Sequence, residues 1–492
     1  MTDINLVKRS ILSAAVIVFL IVACRQTSGY FSIIIALLAC CWAMANARGK
    51  SLCCYAFFPF LVCLNSVILP KAGVLGYVCR GVPVLMAIIY LLVAQKNKGA
   101  SRMPFSCLAP YLVFMVLSST LGYCPKVSYL KLINFTVFWL GIWFGTQNLD
   151  KRPDDIRLLR AFFFGLTIVL VYGSIVSLAF PGISYALDHE VAVAMKEAGL
   201  SAAAEAYQYR NLNRVQLFCG ITFQSQALGP LLVCAFAWVS GDMLFVSRKF
   251  NKFHLFLLIP MPILIFMTRS RTALFAFFVA GVMLLVFAGR YISLPFSIKA
   301  KIKRLINIVI VIAIVGGIGL ELTNHTVTRW LRKTDDVAYD SRDMGQALTE
   351  TRMGLIERTM REFRYNPLLG CGFQVDDTTD MNFGRGSGLL VLSAPVEKGL
   401  LPIMVLGEGG IVGAVLFWWF MVAFCLRCYK RKYILTLSLF VVFVATNIGE
   451  ATFFSPGGVG GIEWVYALGG GFLLDSILIR FRQEEQLRWA YM

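Results

Sequence analysis

Apolar residues recur along this chain in blocks of roughly 15–25, the length that a helix needs to cross ~30 Å of hydrocarbon. Only 15% of the 492 residues are charged, whereas soluble proteins carry about a quarter. This pattern predicts an all-α polytopic membrane protein with about 12–14 transmembrane helices. The predicted spans are residues 6–24, 28–46, 52–70, 74–94, 104–121, 128–147, 160–180, 215–246, 254–268, 272–289, 305–322, 399–426, 434–453 and 464–479. The first of them is interpreted as a span and not as a cleaved signal peptide.

The formal net charge of +19 is distributed according to membrane topology. Lysines and arginines cluster in alternate loops, as the positive-inside rule requires when both termini are cytoplasmic. These clusters include Arg48 and Lys50, Lys96 and Lys98, Lys151 and Arg152, Arg248 and Lys249, Lys301 and Lys303, Arg427 and Lys430, and Arg480 and Arg482. The charge therefore indicates contact with membrane lipids, and no nucleic-acid partner is expected.

Two long segments interrupt the short loops, and they define the predicted organisation. Residues 1–322 form a bundle of about 11 spans with an outer loop at 181–214. Residues 323–398 form one large periplasmic or extracellular loop domain with short helices, and residues 399–492 add about three spans and a short cytoplasmic tail. Within the large loop, "ETRMGLIERTMREF" has apolar residues at helical spacing, and the helix is expected to end before Pro367.

The sequence does not predict a metal or another cofactor. His189, His254 and His325 are far apart in the chain and have no metal-ligand spacing. Cys425 and Cys428 form a CxxC without a second pair, and most of the other cysteines lie inside apolar spans, where a thiol acts as a small apolar group. Arginines would therefore have to neutralise the charge of any anionic ligand.

Several arginines are candidates for binding a diphosphate. Arg269 and Arg271 lie at an outer hairpin, against the topological bias, and guanidinium makes bidentate bonds to phosphate oxygens. The alternative is that they snorkel to lipid phosphate. Arg352 opens the helix of the large loop and is the third candidate. The remaining arginines of that helix form i,i+4 pairs typical of a solvated face; they are Arg358, Arg361 and Arg364.

Charged residues also occur where an apolar span is expected. Glu397 and Glu408 are eleven residues apart, so a continuous helix would place them on one face with Glu408 roughly 16 Å deeper. Ionisable groups at such depth normally face a cavity or a partner. These considerations predict a polar cavity for a ligand, whose candidate residues are Arg210, Arg214, Glu408, Asn447, Glu450 and Glu463.

Three segments, in this order, resemble a known family. "TRSRTALFAFF" is similar to its Ser-Arg at a span start, "ETRMGLIERTMREFRYNPLLGCGF" to its loop segment, and "LLPIMVLGEGGIVGAVLFWWF" to its re-entry helix. Together they cover roughly residues 268–420. The family is the O-antigen ligase and O-antigen polymerase superfamily of bacterial integral membrane glycosyltransferases.

The resemblance implies a metal-independent, inverting transfer at the outer face of the bacterial cytoplasmic (inner) membrane. It implies an undecaprenyl-diphosphate-linked glycan as donor, with arginines at the positions of Arg271 and Arg352, joined by Arg269, on the diphosphate. It also implies a chain-length regulator and a flippase of the same pathway as partners.

One departure from the family pattern favours a polymerase. Where a ligase of this family has a His-Asn pair, this chain has Gly399 and Leu400, directly preceded by Glu397 and Lys398. We therefore expect a polymerase of surface polysaccharide repeat units, with Glu397 as general base. Lys398 would either pair with Glu397 or add to the phosphate clamp.

Three alternatives remain open from the sequence. The first is a ligase that transfers the glycan to lipid A core or to protein. The second is a flippase or exporter of lipid-linked glycans, although its charged residues should then line a cavity through both halves of the membrane. The third is a structural scaffold, against which the arginines and carboxylates inside or beside apolar spans argue.

Overall fold

The elements of the described structure are all helices. The computed structural model describes residues 3–26, 104–146, 149, 153–180, 184, 218–222, 225–248, 251–291, 344–376, 400–449, 452–455 and 459–490. The α-helices are α1 (Asp3–Gln26), α2 (Ala109–Leu121), α3 (Pro125–Thr146), α4 (Pro153–Ser177), α5 (Ser225–Gly241), α6 (Lys252–Leu258), α7 (Pro260–Met267), α8 (Arg271–Tyr291), α9 (Met344–Tyr365), α10 (Leu401–Lys430), α11 (Ile434–Asn447), α12 (Val459–Trp464) and α13 (Gly471–Ala490). A 3₁₀ turn, Pro104–Leu108, precedes α2, and π-helical turns follow α5 (Asp242–Ser247) and α12 (Val465–Gly470).

Several of these helices are long and apolar enough to cross a bilayer. Within the described residues they are Pro153–Ser177, Gln226–Ser247, Leu401–Lys430 and Gly460–Glu484. Shorter apolar helices cover Ser106–Leu121, Lys252–Met267, Arg271–Phe287 and Ile434–Asn447. On α10, Val415 and Val422 are exposed while Phe417 and Phe424 are buried, so one face of this helix contacts the protein and the other is apolar and open. The predicted class, an all-α polytopic membrane protein, is confirmed.

The helices pack into one bundle with an aromatic interior. Helix α1 packs on α4, α8 packs between α5 and α11, and α9 lies on α10. The π-helical turn after α12 passes Trp238 of α5, whose indole N–H donates to the carbonyl of Gly470 at 3.2 Å. A β-carbon on Gly470 would lie 2.6 Å from that indole ring, so only glycine permits this close approach.

The boundaries of some predicted spans differ from the structure. The span predicted over 215–246 begins at Ser225, because residues 218–222 are not helical. The span predicted over 254–268 is two short helices that meet at Pro260, since proline removes a backbone donor. The predicted spans 28–46, 52–70, 74–94 and 305–322 lie outside the described residues. The predicted division at residues 322 and 398 and the cytoplasmic termini stay predictions.

The bundle has two ends, which its contacts distinguish. At one end, here called the motif end, Gly122 after α2 lies against Cys371 of residues 366–376, and Gly449 after α11 lies against Thr272 at the start of α8. The rings of Phe373 and Phe454, 5.4 Å apart, connect these two groups of residues. At the opposite end, Arg427 of α10 donates to Ser106 at 2.8 Å, and Asp475 of α13 contacts the start of α11. Consecutive long helices alternate in direction between these ends.

Buried carboxylates fix the opposite end. Asp242 is fully buried and accepts two 2.7 Å hydrogen bonds from Arg160 of α4 and one of 2.9 Å from His254 of α6. Asp475 accepts from the backbone N–H groups of Leu435 and Thr436, at 3.2 and 2.9 Å. These N–H groups belong to the first turn of α11 and have no intrahelical partner, so Asp475 caps this helix from a neighbouring one.

We expect Asp475→Ala to lower the free energy of unfolding by about 2–3 kcal/mol, since it leaves the buried N–H groups of Leu435 and Thr436 without their carboxyl acceptor. Thermal unfolding of the purified protein in detergent would measure the change. Glu484→Ala on the same helix is the matched control, because its i,i+4 pair with Arg480 is exposed and contributes roughly 0.5 kcal/mol or less. Equal effects of the two substitutions would contradict the capping role.

Candidate functional site

A break in α10 is filled by a segment from the preceding loop. Gly410 has φ 60° and ψ −161°, which interrupts the helix. An unbroken helix would pair the N–H groups of residues 411 and 412 with the carbonyls of 407 and 408. Here Ile411 and Val412 donate to Pro367 and Leu368, at 2.8 and 3.4 Å.

The two carbonyls on the other side of the break are paired by the same segment. Cys371 N–H donates to Gly407 at 2.9 Å, and Gly372 N–H donates to Glu408 at 3.1 Å. Residues 366–376, here called the inserted segment, therefore replace the helix's own bonding on both sides of the break. The "PLLGCGF" sequence of the inserted segment and the "GEGG" sequence of α10 are thus explained by the same contact, because each pairs with the other.

Glycines make the close approach possible. The conformation of Gly410 is one that essentially only glycine adopts, and a β-carbon there would lie 2.4 Å from the Leu368 carbonyl. Gly370 has φ +73°, and its β-carbon would lie 2.3 Å from the carbonyl oxygen of Glu408. The inserted segment and α10 thus approach each other through backbone atoms at both places.

Side chains of α2 and α3 hold the inserted segment and the part of α10 with which it pairs. Ser118 Oγ donates to the Glu408 carbonyl at 2.7 Å, and Phe373 N–H donates to Ser128 Oγ at 2.7 Å. The ammonium group of Lys131, which is only 2% exposed, donates to the carbonyl of Gln374 at 2.8 Å. Four helices, α2, α3, α9 and α10, therefore position residues 366–376.

Helix α9 ends directly at this segment and is less solvated than the sequence suggests. The helix predicted over 350–363 is confirmed within Met344–Tyr365, and it stops before Pro367 as expected. Arg358 pairs with Asp376 of the inserted segment at 2.8 Å. Glu362 is 3% exposed, and its carboxylate accepts a long, 3.6 Å hydrogen bond from the Cys371 thiol. The interpretation of the arginines of this helix as a solvated face is therefore wrong at Arg358.

Arg269 and Arg271 lie in a tight turn between α7 and α8. Ser270 is the N-cap of α8, because its Oγ accepts from the N–H of Ala273 at 3.3 Å. Arg271 is thus the first helical residue, where the partial positive charge of a helix favours anions. Arg269 has a left-handed backbone, φ 49°, and is half-buried, with its Nη1 atom buried. The turn can present two guanidinium groups and a helix N-terminus to an anion.

A buried amide and carboxylate lie beside this turn. Asn447, at the end of α11, donates to Glu463 of α12 at 3.2 Å and accepts from Thr452 at 3.0 Å. Asn447 and Glu463 are both almost fully buried. Gly449 connects this cluster to the turn, because a β-carbon there would lie 2.4 Å from Thr272 Oγ1. The predicted Arg269, Arg271, Asn447 and Glu463 therefore lie at the same end of the bundle.

An aromatic block separates the inserted segment from the Asn447–Glu463 pair. Phe454 stacks on Tyr111 at 5.3 Å and contacts Phe373 at 5.4 Å. Phe135 contacts both Phe454 and Trp464, at 5.2 and 5.5 Å. Rings packed in this way form a rigid wall, so the polar groups on its two sides keep fixed relative positions.

The structure describes some of the predicted site residues but not others. Glu408 is fully buried at the break, and Arg352 lies in α9, although its side chain is outside the described part. Five further predicted residues lie outside the described residues; they are Glu397, Lys398, Arg210, Arg214 and Glu450. The expectation that Glu397 and Glu408 share one face of a continuous helix is wrong. Leu400 is extended and α10 begins at Leu401, since Pro402 favours a helix start.

The sequence reasoning missed Lys131, Glu362 and Gln374. Lys131 could have been found by the argument used for Arg269, because it lies in the half of a predicted apolar span that should be free of cations. Glu362 lies at i+3 from Thr359, on the face of α9 that packs on α10. No sequence pattern around Gln374 marks it as a site residue, since its left-handed backbone is visible only in the structure.

The described residues contain no group of three or more His, Cys, Asp and Glu side chains arranged to hold a metal ion. The polar groups at the motif end are instead arginines, a lysine, amides and carboxylates, most of them buried and hydrogen-bonded. Guanidinium groups suit phosphate oxygens, and amides suit sugar oxygens.

Comparison with known proteins agrees with these features. Residues 255–418 of the 492 match the family model for O-antigen ligase. The matched region includes the arginine turn, α9, the inserted segment and the break in α10. No curated protein matches the chain. The predicted resemblance to the O-antigen ligase and polymerase superfamily is thereby confirmed, and it supports a multi-pass membrane enzyme of the ligase or polymerase type.

Proposed function

We propose that this protein is an inverting glycosyltransferase that polymerises undecaprenyl-diphosphate-linked repeat units into a surface polysaccharide. The observation that carries the proposal is the Arg269–Arg271 turn, which lies at a helix N-terminus beside the Asn447–Glu463 pair. A diphosphate is an anion with several oxygens, and paired guanidinium groups near a helix N-terminus bind such a group well.

In the proposed reaction, Arg269 and Arg271, with Arg352 from α9, bind the donor diphosphate. A hydroxyl oxygen of the acceptor sugar attacks the anomeric carbon of the donor while the bond from that carbon to the diphosphate oxygen breaks. The bonding electrons leave with the diphosphate, whose charge the arginines stabilise. Glu397 takes the hydroxyl proton as general base, and a single displacement inverts the anomeric configuration. Lys398 joins the phosphate clamp or pairs with Glu397.

We place the reaction at the outer face of the bacterial cytoplasmic membrane. The opposite end of the bundle carries many exposed cations, among them Lys252, Arg427, Lys430, Arg431, Lys432 and Arg482. The positive-inside rule assigns such an end to the cytoplasm, which leaves the motif end outside. Lipid-linked glycans would then reach the arginine turn from the outer leaflet. Chain-length regulator and flippase proteins of the pathway are the partners expected there.

A ligase is the second candidate, because the matched family model is described as O-antigen ligase. Such an enzyme would transfer a finished glycan to lipid A core or to protein. We prefer the polymerase because Gly399 and Leu400 stand where a ligase of this family has His-Asn. The two reactions share the donor and the phosphate site, so they differ only in the acceptor.

Purified protein in lipid nanodiscs, incubated with lipid-linked repeat units, tests the proposal. These units would be extracted from cells that lack the protein, where an unused substrate accumulates. We expect a product ladder spaced by one repeat unit, with or without a chelator such as EDTA. A single transfer to added lipid A core would identify a ligase, and unchanged substrate would overturn the proposed enzyme activity.

A further inference from the structure

Gln374 of the inserted segment has an unusual environment. Its backbone is left-handed, with φ 51°, a conformation that residues with a β-carbon rarely adopt. Its side chain is buried, with 4% of its surface exposed. Its Nε2 atom has no hydrogen-bond partner among the described residues. A strained backbone and a buried donor without a partner both cost free energy, and they occur together at one residue.

The surroundings of Gln374 are rich in donors. The Lys131 ammonium lies 2.8 Å from its backbone carbonyl oxygen. Asp376, two residues further along the chain, pairs with Arg358 of α9 at 2.8 Å. The carboxylate of Asp376, which is the acidic residue closest to Gln374 in the sequence, is thus already in a salt bridge. An amide N–H in such a place suits an oxygen acceptor brought by a ligand. Buried polar groups of this kind give binding sites their specificity.

The position of Gln374 separates it from the proposed diphosphate site. Gln374 follows Phe373, which packs on Phe135 and Phe454 in the aromatic block. The arginine turn lies against Gly229 of α5 and Gly449 after α11. It is therefore beside the Asn447–Glu463 pair, on the other side of the aromatic block. A ligand held by its diphosphate at that turn would meet Gln374 only with another part of its structure. For a lipid-linked glycan, that part is the sugar chain.

We propose that Gln374 Nε2 donates a hydrogen bond to a sugar oxygen of the lipid-linked glycan and thereby helps to select the glycan. This inference rests on the proposed function and adds a specificity-determining residue to it. The left-handed backbone is maintained because it directs the amide to the sugar. Lys131 and Ser128 hold this conformation through the carbonyl of Gln374 and the N–H of Phe373.

The test compares Gln374→Gly with the wild-type protein. Glycine tolerates the left-handed backbone and removes the buried amide, so thermal stability should be unchanged or higher. The KM for the extracted lipid-linked repeat units should nevertheless rise about five- to tenfold, as expected for one lost hydrogen bond. Gln374→Asn keeps an amide and tolerates the backbone, and it should recover part of the affinity.

Lys432→Gly is the matched control. Lys432 also has a left-handed backbone, φ 60°, but it is exposed at the opposite end of the bundle. Its replacement relieves the same kind of backbone strain without touching the proposed sugar site. We expect stability to be unchanged or higher in this variant too, with no change in the KM.

Binding measurements with two lipids show whether Gln374 contacts the sugar or the diphosphate. The affinity of Gln374→Gly for glycan-bearing lipid should fall, while its affinity for sugar-free polyprenyl diphosphate should not change. A parallel loss for both lipids would overturn the sugar contact, and so would a wild-type KM in an active Gln374→Gly protein. If the wild-type protein makes no product, the proposed function itself fails, and this inference fails with it.

Discussion

Replacing Arg271 by alanine is expected to reduce the rate of glycan transfer by about 10²–10³-fold, so that cells carrying this variant make no detectable polymer. The guanidinium would be lost from the group that stabilises the leaving diphosphate. The fold should be retained, because Ser270 still caps α8 and alanine is a good first-turn residue. Polymer on gels, together with protein level in the membrane, measures the two effects separately.

Two further variants make this result interpretable. Arg271→Lys keeps the charge but loses the planar, bidentate geometry, so we expect an intermediate rate. Arg361→Ala removes an exposed arginine of α9 and should leave the rate unchanged. Normal polymer in Arg271→Ala at a normal membrane level would contradict the phosphate role of the turn.

Replacing Gly410 by alanine is expected to destabilise the protein by about 3 kcal/mol or more. An alanine would need a backbone conformation that only glycine adopts readily, which costs roughly 1–3 kcal/mol, and its β-carbon would also meet the Leu368 carbonyl. Because native proteins are stable by only about 5–15 kcal/mol, the substitution should remove a large share of the free energy of unfolding. Thermal unfolding in detergent and the protein level in membranes are the measurements.

The control for this substitution is another glycine of a long helix. A β-carbon on Gly281 in α8 would meet nothing within 4 Å. Gly281→Ala should therefore be neutral or stabilise the helix by about 0.5–1 kcal/mol, the usual gain of alanine over glycine. If Gly410→Ala unfolds at the temperature of Gly281→Ala, the inserted segment does not occupy the break.

The sequence predicted the helical class and most described spans, because apolar length and periodicity are local properties. It also placed Arg269 and Arg271 at a helix start, since the "TRSR" turn lies between two apolar runs. The partnership of Asn447 with Glu463 was less accessible. Both were noted as polar residues, but their contact depends on how α11 and α12 pack.

The break in α10 could not be predicted from the sequence. "LGEGGIVG" reads as one apolar helix, and only pairing with residues 366–376 makes an interruption favourable. Gln374 was missed for a related reason, because its backbone is held by contacts of Lys131 and Ser128, on a distant helix, with its carbonyl and with the N–H of Phe373. Non-local hydrogen bonds of this kind leave no periodic signal.

The filled break also has a consequence for how the chain is made. Every group that pairs with it, from Ser118 of α2 to Gly372 of the inserted segment, is N-terminal to Gly410. A ribosome therefore completes all of these partners before α10 emerges, and N-terminal parts fold first during synthesis. Unpaired backbone groups cost several kcal/mol each in lipid. Because its partners are synthesised first, α10 can pair its backbone groups as soon as it enters the bilayer.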